Sequence, residues 1–128
     1  MSKRIFISFN YAERNYQNNL LGLFQANGGP VEATPVYVEK DVTAKGDEAV
    51  KAEIERCMEG CRGLLVAVGN IAHNSRWIDH ELGKANQLRI PKAAVRHPDA
   101  SGGIPNNHKG MMVLKWDTEA IARLVESW

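Results

Sequence analysis

The apolar positions in the first third of the chain predict a strand, a helix and a second strand. The run Arg4–Phe9 (RIFISF) is β-branched and aromatic, as strands are. Apolar residues then recur at helical spacing, at Tyr16, Leu20, Leu23 and Phe24. Residues 27–30 (NGGP) supply positive φ and a proline, which end a helix. Pro35–Val38 (PVYV) is then predicted to be a short strand.

The middle of the chain predicts an amphipathic helix and a fully buried strand. From Asp47, a plausible N-cap, apolar residues again recur at helical spacing, at Val50, Ile54, Cys57, Met58 and Cys61. Gly60 marks the end of this helix. Leu64–Val68 (LLVAV) is continuously apolar, which is typical of a strand covered on both faces.

The last part of the chain repeats this alternation. After the loop 69–74, a helix is predicted with its inward positions at Ile78, Leu82 and Ala85. Lys92–Arg96 and Met111–Leu114 are predicted strands, and the turn-rich loop 97–109 separates them. A final helix has its inward positions at Ile121, Leu124 and Val125.

Five strands that alternate with four helices predict an α/β fold with a parallel sheet covered on both faces. In one small domain, here residues 1–128, this pattern suits a flavodoxin-like three-layer α/β/α architecture with five strands in the order 2-1-3-4-5. In that order the chain reverses direction between the first and third strands. Ligands bind at the carboxyl ends of the strands beside this switch point.

Composition and charge narrow the function classes. The chain has 128 residues, 44% of them hydrophobic, with 16 Lys and Arg against 15 Asp and Glu, so no global field attracts nucleic acid or an anionic membrane. No apolar run approaches the ~20 residues of a membrane span, and we expect a cytoplasmic protein. Cys57 and Cys61, four apart on a predicted helix, are expected to be buried small hydrophobes. The four histidines lack the spacing of a zinc site, so we expect no metal.

The loops after the first and third predicted strands flank the expected crevice. The first carries Asn10 and Tyr11, and the second leads into residues 75–81 (SRWIDHE). Ser75 is able to cap a helix on which Trp77 and Glu81, four apart, project from one face, with Glu81 at the border of the buried stripe. The carboxylate could hold a ribose hydroxyl and stabilise positive charge at an anomeric carbon. A capped helix with an exposed ring and a first-turn acid explains the same residues, and the pattern leaves both interpretations open.

These residues carry a resemblance to a known family. The opening RIFISF resembles the first conserved box of Toll/interleukin-1 receptor (TIR) domains, and Ser75-x-Trp77-x-x-x-Glu81 is similar to the pattern with which that family enters its third main helix. The similarity extends over the whole chain in the order and length of its elements. It looks nearest to the small TIR-like proteins of bacterial Thoeris-type anti-phage systems.

The resemblance implies a function and a set of site residues. Catalytic members of the family cleave the nicotinamide–ribose bond of NAD, and the bacterial defence members produce cyclic ADP-ribose isomers as immune signals. Glu81 takes the position of the catalytic glutamate, and Trp77 that of the aromatic residue beside the nicotinamide. Phe9 and Asn10 match the segment after the first strand that lines the same cleft, and with Ser75 and Trp77 they are the candidate substrate-binding residues. NAD is then a substrate and no cofactor is implied.

The loop 39–46 (EKDVTAKG) takes the place of the family's BB loop, which closes over nucleotide and mediates contacts between TIR domains. Tyr11, Asp41 and Lys45 are candidate loop contacts. The usual Pro-Gly pair of this loop is absent, and only Gly46 remains, so the resemblance does not carry over the family's geometry of self-association. The loop 97–109 is a candidate lid, or else a solvated excursion.

Other functions stay open at this point. A non-catalytic TIR scaffold would bind other TIR-like domains, whereas an enzyme of the defence type would reach a downstream effector through a small-molecule signal. A nucleoside deoxyribosyltransferase-like enzyme shares the general fold and also uses a glutamate at a glycosidic bond. A receiver domain is disfavoured because Phe9-Asn10-Tyr11 offers no acidic residue for Mg²⁺, and a Rossmann domain because no G-x-G-x-x-G follows the first strand.

Overall fold

A computed structural model describes residues 3–38, 43–108 and 110–128, and within them the chain forms a parallel sheet between two layers of helices. The strands are β1 (Lys3–Ser8), β2 (Ala33–Val36), β3 (Gly63–Val68), β4 (Lys92–Arg96) and β5 (Val113–Leu114). The α-helices are α1 (Arg14–Leu21), α2 (Asp47–Met58), α3 (Arg76–Leu88) and α4 (Thr118–Glu126). The strand order is β2-β1-β3-β4-β5, which confirms the predicted flavodoxin-like topology and its switch point between β1 and β3.

The sheet separates two hydrophobic clusters. On one face, Phe6 of β1 packs with residues of α2 and α3, among them Ile54 and Ile78. On the other face, its neighbours Ile5 and Ile7 pack with α1 and α4. Successive residues of a strand point to opposite faces, so β1 contributes to both clusters. All six residues of β3 are buried, as expected for a central strand covered on both sides.

Several predicted boundaries were wrong. Helix α1 ends at Leu21, so Leu23 and Phe24 lie beyond it, and Tyr16 is half-buried while Gln17 takes the buried position. Phe24 is instead buried through an isolated bridge to Val31. Strand pairing at this bridge, rather than helical periodicity, explains its burial.

Helix α2 also differs at both ends. Gly46 occupies the N-cap position at φ 93°, so Asp47 is the first helical residue rather than the cap. A glycine suits this position because other residues are strained at positive φ. The helix ends at Met58, and Cys61 lies after it. Both Cys57 and Cys61 are buried free thiols, as expected.

Helix α3, which carries the candidate site residues, is the best predicted element. Ser75 is its N-cap, and the Ser75 Oγ accepts a hydrogen bond from the Ile78 N–H at 3.3 Å. Ile78, Leu82 and Ala85 are buried against the sheet, as predicted. These contacts determine the direction in which the rest of the helix points. None of the helices in the described parts of the chain is long and apolar enough to cross a membrane.

Candidate functional site

The centre of the candidate site is a hydrogen bond between a helix and the end of a strand. The Ser8 hydroxyl donates to the Glu81 Oε1 at 2.6 Å. Glu81 is 6% exposed and Ser8 is completely buried. The expectation that Glu81 lies at the border of the buried stripe was therefore wrong, since the carboxyl group points inward to the sheet.

The position of Ser8 follows from the alternation along β1. Ser8 is the last residue of the strand and shares a face with Phe6, the face that α3 covers. In the sheet Ser8 pairs with Val66 of β3. The Ser8–Glu81 hydrogen bond therefore lies near the carboxyl ends of β1 and β3, which is the switch point where this topology binds ligands.

Burial strongly perturbs the Glu81 carboxyl. Loss of water around the side chain raises the pKa of Glu81 from its ordinary 4.5 to about 8, and the hydrogen bond from Ser8 lowers it in part. In the absence of a ligand, the carboxyl group is therefore mainly protonated at neutral pH. Strongly perturbed carboxyl groups near a strand-end crevice are typical of functional sites.

Trp77 lies one turn before Glu81 and contributes to both packing and surface. The ring is half-buried and packs against the core cluster beneath α2 and α3. The Arg76 guanidinium lies over it at 4.6 Å from the ring centroid, and the His80 ring meets it edge-on at 5.8 Å. Arg76 also bonds to Asp47 at 2.8 Å, which ties the starts of α2 and α3 together. A role for Trp77 beside a substrate stays a prediction.

Phe9, Tyr11 and Tyr37 form an aromatic group at the ends of β1 and β2. The Phe9 ring centroid lies 5.5 Å from that of Tyr11 and 6.4 Å from that of Tyr37. Together with Arg14, Gln17 and Asn18 they line a cavity of about 370 Å³, which we call the α1 cavity. Phe9 packs with the cluster under α1, whereas the preceding Ser8 faces α3. The α1 cavity and the Glu81 carboxyl thus lie on opposite faces of the sheet.

Asn10 and Ser75 both act as helix caps. The Asn10 Oδ1 accepts from the Ala12 N–H at 3.0 Å and caps the short 3-10 turn Tyr11–Glu13. Ser75, besides capping α3, lines a smaller cavity of about 220 Å³ with the segment 105–107. Both residues thus have a structural task, and their contact with a substrate stays a prediction.

The loops around the crevice are tied to one another. The Glu13 carboxylate accepts from the backbone N–H groups of Asn70 and Ile71, at 2.7 and 3.0 Å. The Asn70 side chain in turn donates to the Tyr16 hydroxyl and accepts from the Ser101 N–H. Glu13 therefore connects the loop after β1 to the loop after β3, and Asn70 extends the connection to the loop after β4.

The loop 97–109 is packed rather than solvated over its described part. The Gly102 N–H donates to the Gly69 carbonyl at 3.2 Å, and the Gly102 carbonyl accepts from the Arg96 Nε at 2.8 Å. Ile104 is 9% exposed, and the His108 Nε2 lies 2.8 Å from the Asp79 Oδ1 on α3. These contacts hold the loop beside the start of α3. Its role as a lid stays a prediction.

Two candidate residues come from the segment before α2. Asp41 lies outside the described residues. Lys45 is exposed in the 3-10 turn Thr43–Lys45. The pKa of Glu53 on α2 is lowered mainly by a hydrogen bond from Arg56, and the positive charge of Lys45 adds to this lowering.

Sequence reasoning missed two polar residues. Ser8 was hidden inside an apolar strand, although a serine in the run RIFISF is itself a weak signal, since a buried hydroxyl needs a partner. Gln17 is 4% exposed, and its Nε2 has no hydrogen-bond partner among the described residues. The helical pattern predicted Tyr16 at that inward position, so Gln17 was not predicted to be buried.

Comparisons with known proteins agree with this fold. The family model described as "Thoeris protein ThsB, TIR-like domain" matches residues 6–101. The TIR domain of the Toll-related receptor TRR-2 from Hydra magnipapillata is similar in structure, with a TM-score of 0.62 over 96% of this chain and 91% of that one. It is 14% identical in sequence, so it bears on the fold alone. No curated protein matches the chain in sequence.

Proposed function

The chain belongs to the Thoeris ThsB TIR-like family, and on that basis we propose that it cleaves the bond between nicotinamide and ribose in NAD. The observation that carries the proposal is the Glu81 carboxyl group, buried at the switch point and hydrogen-bonded to Ser8 at 2.6 Å. The family model spans both residues.

Cleavage of the nicotinamide–ribose bond suits a single carboxyl group at a site from which water is excluded. Nicotinamide leaves as a neutral ring, so its departure requires no proton. The transition state develops positive charge on the ribose, and a preorganised carboxylate stabilises that charge best where water is excluded. Glu81 is held by its helix rather than by a loop, because Ile78 and Leu82 anchor α3 on the sheet. The carboxyl group therefore needs little reorganisation when the charge develops.

The charge of NAD explains how a protonated Glu81 becomes active. The nicotinamide ring of NAD is positively charged, and an opposite charge a few ångströms from a buried carboxyl group favours its ionised form. Substrate binding would therefore lower the pKa of Glu81 from about 8 and release its proton. In the free protein the same pKa limits the active fraction, so kcat/KM should rise with pH up to about 8.

The product depends on which nucleophile reaches the ribose. Water gives ADP-ribose, whereas the adenine or a ribose hydroxyl of the same molecule gives a cyclic isomer. We propose a cyclic ADP-ribose isomer, which would act as a signal to a downstream effector in anti-phage defence. Membership of the Thoeris family supports this choice.

The test is release of nicotinamide from NAD by the purified chain, measured by chromatography together with the nucleotide product. Glu81→Gln should abolish turnover, because the amide keeps the size and the contact with Ser8 but cannot carry charge. Glu48→Gln, at a position where 94% of the side chain is exposed, is the matched control and should retain turnover. Equal turnover by wild type and Glu81→Gln would refute the role of Glu81.

A second measurement, of NAD in phage-infected cells, separates the enzyme from a non-catalytic scaffold. An enzyme that awaits an infection cue should consume NAD in phage-infected cells that express the wild type, and not in cells that express Glu81→Gln. A protein that protects cells equally well with either residue, without loss of NAD, acts as a scaffold, and the proposal would then be wrong.

A further inference from the structure

A single side chain, Glu13, joins the two sides of the crevice at which this topology binds ligands. Its carboxylate accepts one hydrogen bond from the Asn70 N–H at 2.7 Å and another from the Ile71 N–H at 3.0 Å, and we call this pair of contacts the Glu13 bridge. Glu13 lies in the turn after β1, and both N–H groups belong to the loop after β3. These loops flank the switch point between β1 and β3, so the bridge fixes their separation.

The Glu13 carboxylate lies directly against the backbone at the end of β3. Gly69 is buried, and a Cβ at this position would lie 2.6 Å from both carboxyl oxygens of Glu13. Hydrogen bonds to an ionised group are roughly twice as strong as neutral ones, and two of them to one carboxylate fix its orientation. The bridge is therefore a defined contact, and it depends on the absence of a side chain at position 69.

Asn70 extends the bridge to the neighbouring segments. Its Nδ2 donates to the Tyr16 hydroxyl on α1 at 3.2 Å, and its Oδ1 accepts from the Ser101 N–H at 3.0 Å. The Gly102 N–H donates to the Gly69 carbonyl at 3.2 Å. The loops after β1, β3 and β4 are thus connected at the carboxyl edge of the sheet, with the Glu13 bridge at the switch point itself.

Both ends of the bridge continue into the candidate site. On one side, Glu13 follows the end of β1, where the Ser8 hydroxyl donates to Glu81 at 2.6 Å. On the other side, the loop after β3 leads to Ser75, the N-cap of the helix that carries Glu81. Ser8 lies in a strand and Glu81 in a helix anchored on the sheet, so loss of the bridge would leave their hydrogen bond in place. It would instead release the two loops that flank the crevice.

We propose that Glu13 is a positioning residue for NAD, which holds the loops after β1 and β3 at the separation that the substrate requires. The inference rests on the proposed function, and it assigns Glu13 to substrate binding rather than to bond cleavage. Without the bridge the substrate must order both loops itself, and this ordering opposes binding. KM should therefore rise about tenfold, whereas kcat should stay within about twofold of wild type.

Two variants break the bridge in different ways. Glu13→Ala removes the carboxylate, whereas Gly69→Ala keeps its charge and displaces it, because the new Cβ takes its place. The Gly69 backbone is not in the left-handed region, so alanine is compatible with it. Both variants should raise KM about tenfold, and Glu13→Gln, which keeps one acceptor oxygen for the two N–H groups, should have an intermediate KM. Glu32→Ala, at an exposed glutamate before β2, is the matched control and should keep the wild-type KM.

The measurement is the rate of nicotinamide release at a series of NAD concentrations, which gives KM and kcat separately. If the purified chain binds NAD without turnover, the dissociation constant from calorimetric titration takes the place of KM. Hydrogen exchange supplies an independent readout, since the Asn70 and Ile71 amides should exchange faster in Glu13→Ala than in wild type.

The outcomes separate this inference from the proposed function. A merely structural role of Glu13 would reduce the folded fraction, and with it kcat, at unchanged KM. An unchanged KM in Glu13→Ala, with turnover retained by wild type, would overturn the inference and leave the proposed function intact. A KM raised by Glu13→Ala but not by Gly69→Ala would mean that the charge and not the bridge acts on NAD, which would also overturn it. Neither binding nor cleavage of NAD by wild type would refute the proposed function and this inference together.

Discussion

Replacement of Glu81 by glutamine should stabilise the protein, and the gain should depend on pH. Burial raises the pKa of Glu81 from 4.5 to about 8, so between these values the folded state holds a proton that the unfolded state has released. For an acid with a raised pKa, the stabilisation is complete below the unfolded pKa and is lost as the pH rises to the folded pKa. Wild type therefore loses stability across this window, whereas glutamine does not titrate.

The magnitude follows from the width of the window. Each pH unit costs wild type about 1.4 kcal/mol, so the stability of Glu81→Gln relative to wild type should rise by about 3 kcal/mol between pH 4.5 and pH 7. The rise should level off at about 5 kcal/mol above pH 8. Glutamine carries one more N–H donor than protonated glutamic acid, and the cost of burying that donor does not change with pH, so the low-pH end serves as the common reference.

The assay is urea denaturation of wild type and Glu81→Gln at several pH values between 5 and 9, at constant ionic strength. Glu48→Gln removes the same charge from an exposed position and should follow wild type over this range. A difference between wild type and Glu81→Gln that stays the same from pH 5 to pH 8 would refute the reasoning. A wild type that is the more stable protein at pH 8 would mean that a positive charge faces the carboxylate.

Three further substitutions test the Ser8–Glu81 hydrogen bond, the start of α3 and the packing of the loop 97–109. Ser8→Ala removes the hydrogen bond that lowers the pKa of Glu81, so the rise of kcat/KM with pH should move to higher pH, and an unshifted profile would exclude Ser8 from the site. Ser75→Ala should lower the free energy of unfolding, measured by urea denaturation, by about 1 kcal/mol because the N-cap is lost, and Ser75→Asp should restore most of it. Equal stability of all three proteins would mean that the cap contributes nothing. Gly102→Ala should lower the melting temperature because its Cβ would lie 2.7 Å from a backbone carbonyl oxygen, while Gly103→Ala has open space and should not; equal melting would contradict the packing of this loop.

Local patterns predicted β3 and α3 correctly and the alternation of elements predicted the strand order, whereas individual side-chain contacts between distant segments were not predicted. β3 is a short apolar run bounded by turns, and α3 has an N-cap serine followed by inward residues at helical spacing, so both follow from neighbours in the sequence. Phe24 was misassigned because a helical repeat and an isolated bridge to Val31 bury the same residue equally well. Periodicity alone cannot separate the two.

In the candidate site too, local spacing predicted part of the arrangement, and contacts between distant segments determine the rest. Residues four apart on a helix share a face, so the pattern placed Trp77 and Glu81 together on α3. The partner of Glu81 is 73 residues away in sequence, and it is known only once β1 and α3 pack against one another. The depth of burial, and with it the raised pKa, depends on that packing as well. A helical repeat reports which side of a helix is apolar, but not how far a border residue turns inward.

Burial of the Glu81 side chain costs free energy when the carboxyl group is ionised, and this cost indicates which kind of ligand charge would stabilise it. A glutamine or an apolar residue would satisfy the core at neutral pH better than an acid whose pKa is raised to about 8. The anchoring of α3 by Ile78 and Leu82 prevents the side chain from retreating to water, so the cost is built into the fold. A cationic ligand would offset that cost by stabilising the ionised carboxylate, and a neutral ligand would not. The buried acid therefore favours a ligand with a positive charge near the carboxyl ends of β1 and β3, and the nicotinamide ring of the proposed substrate would supply that charge.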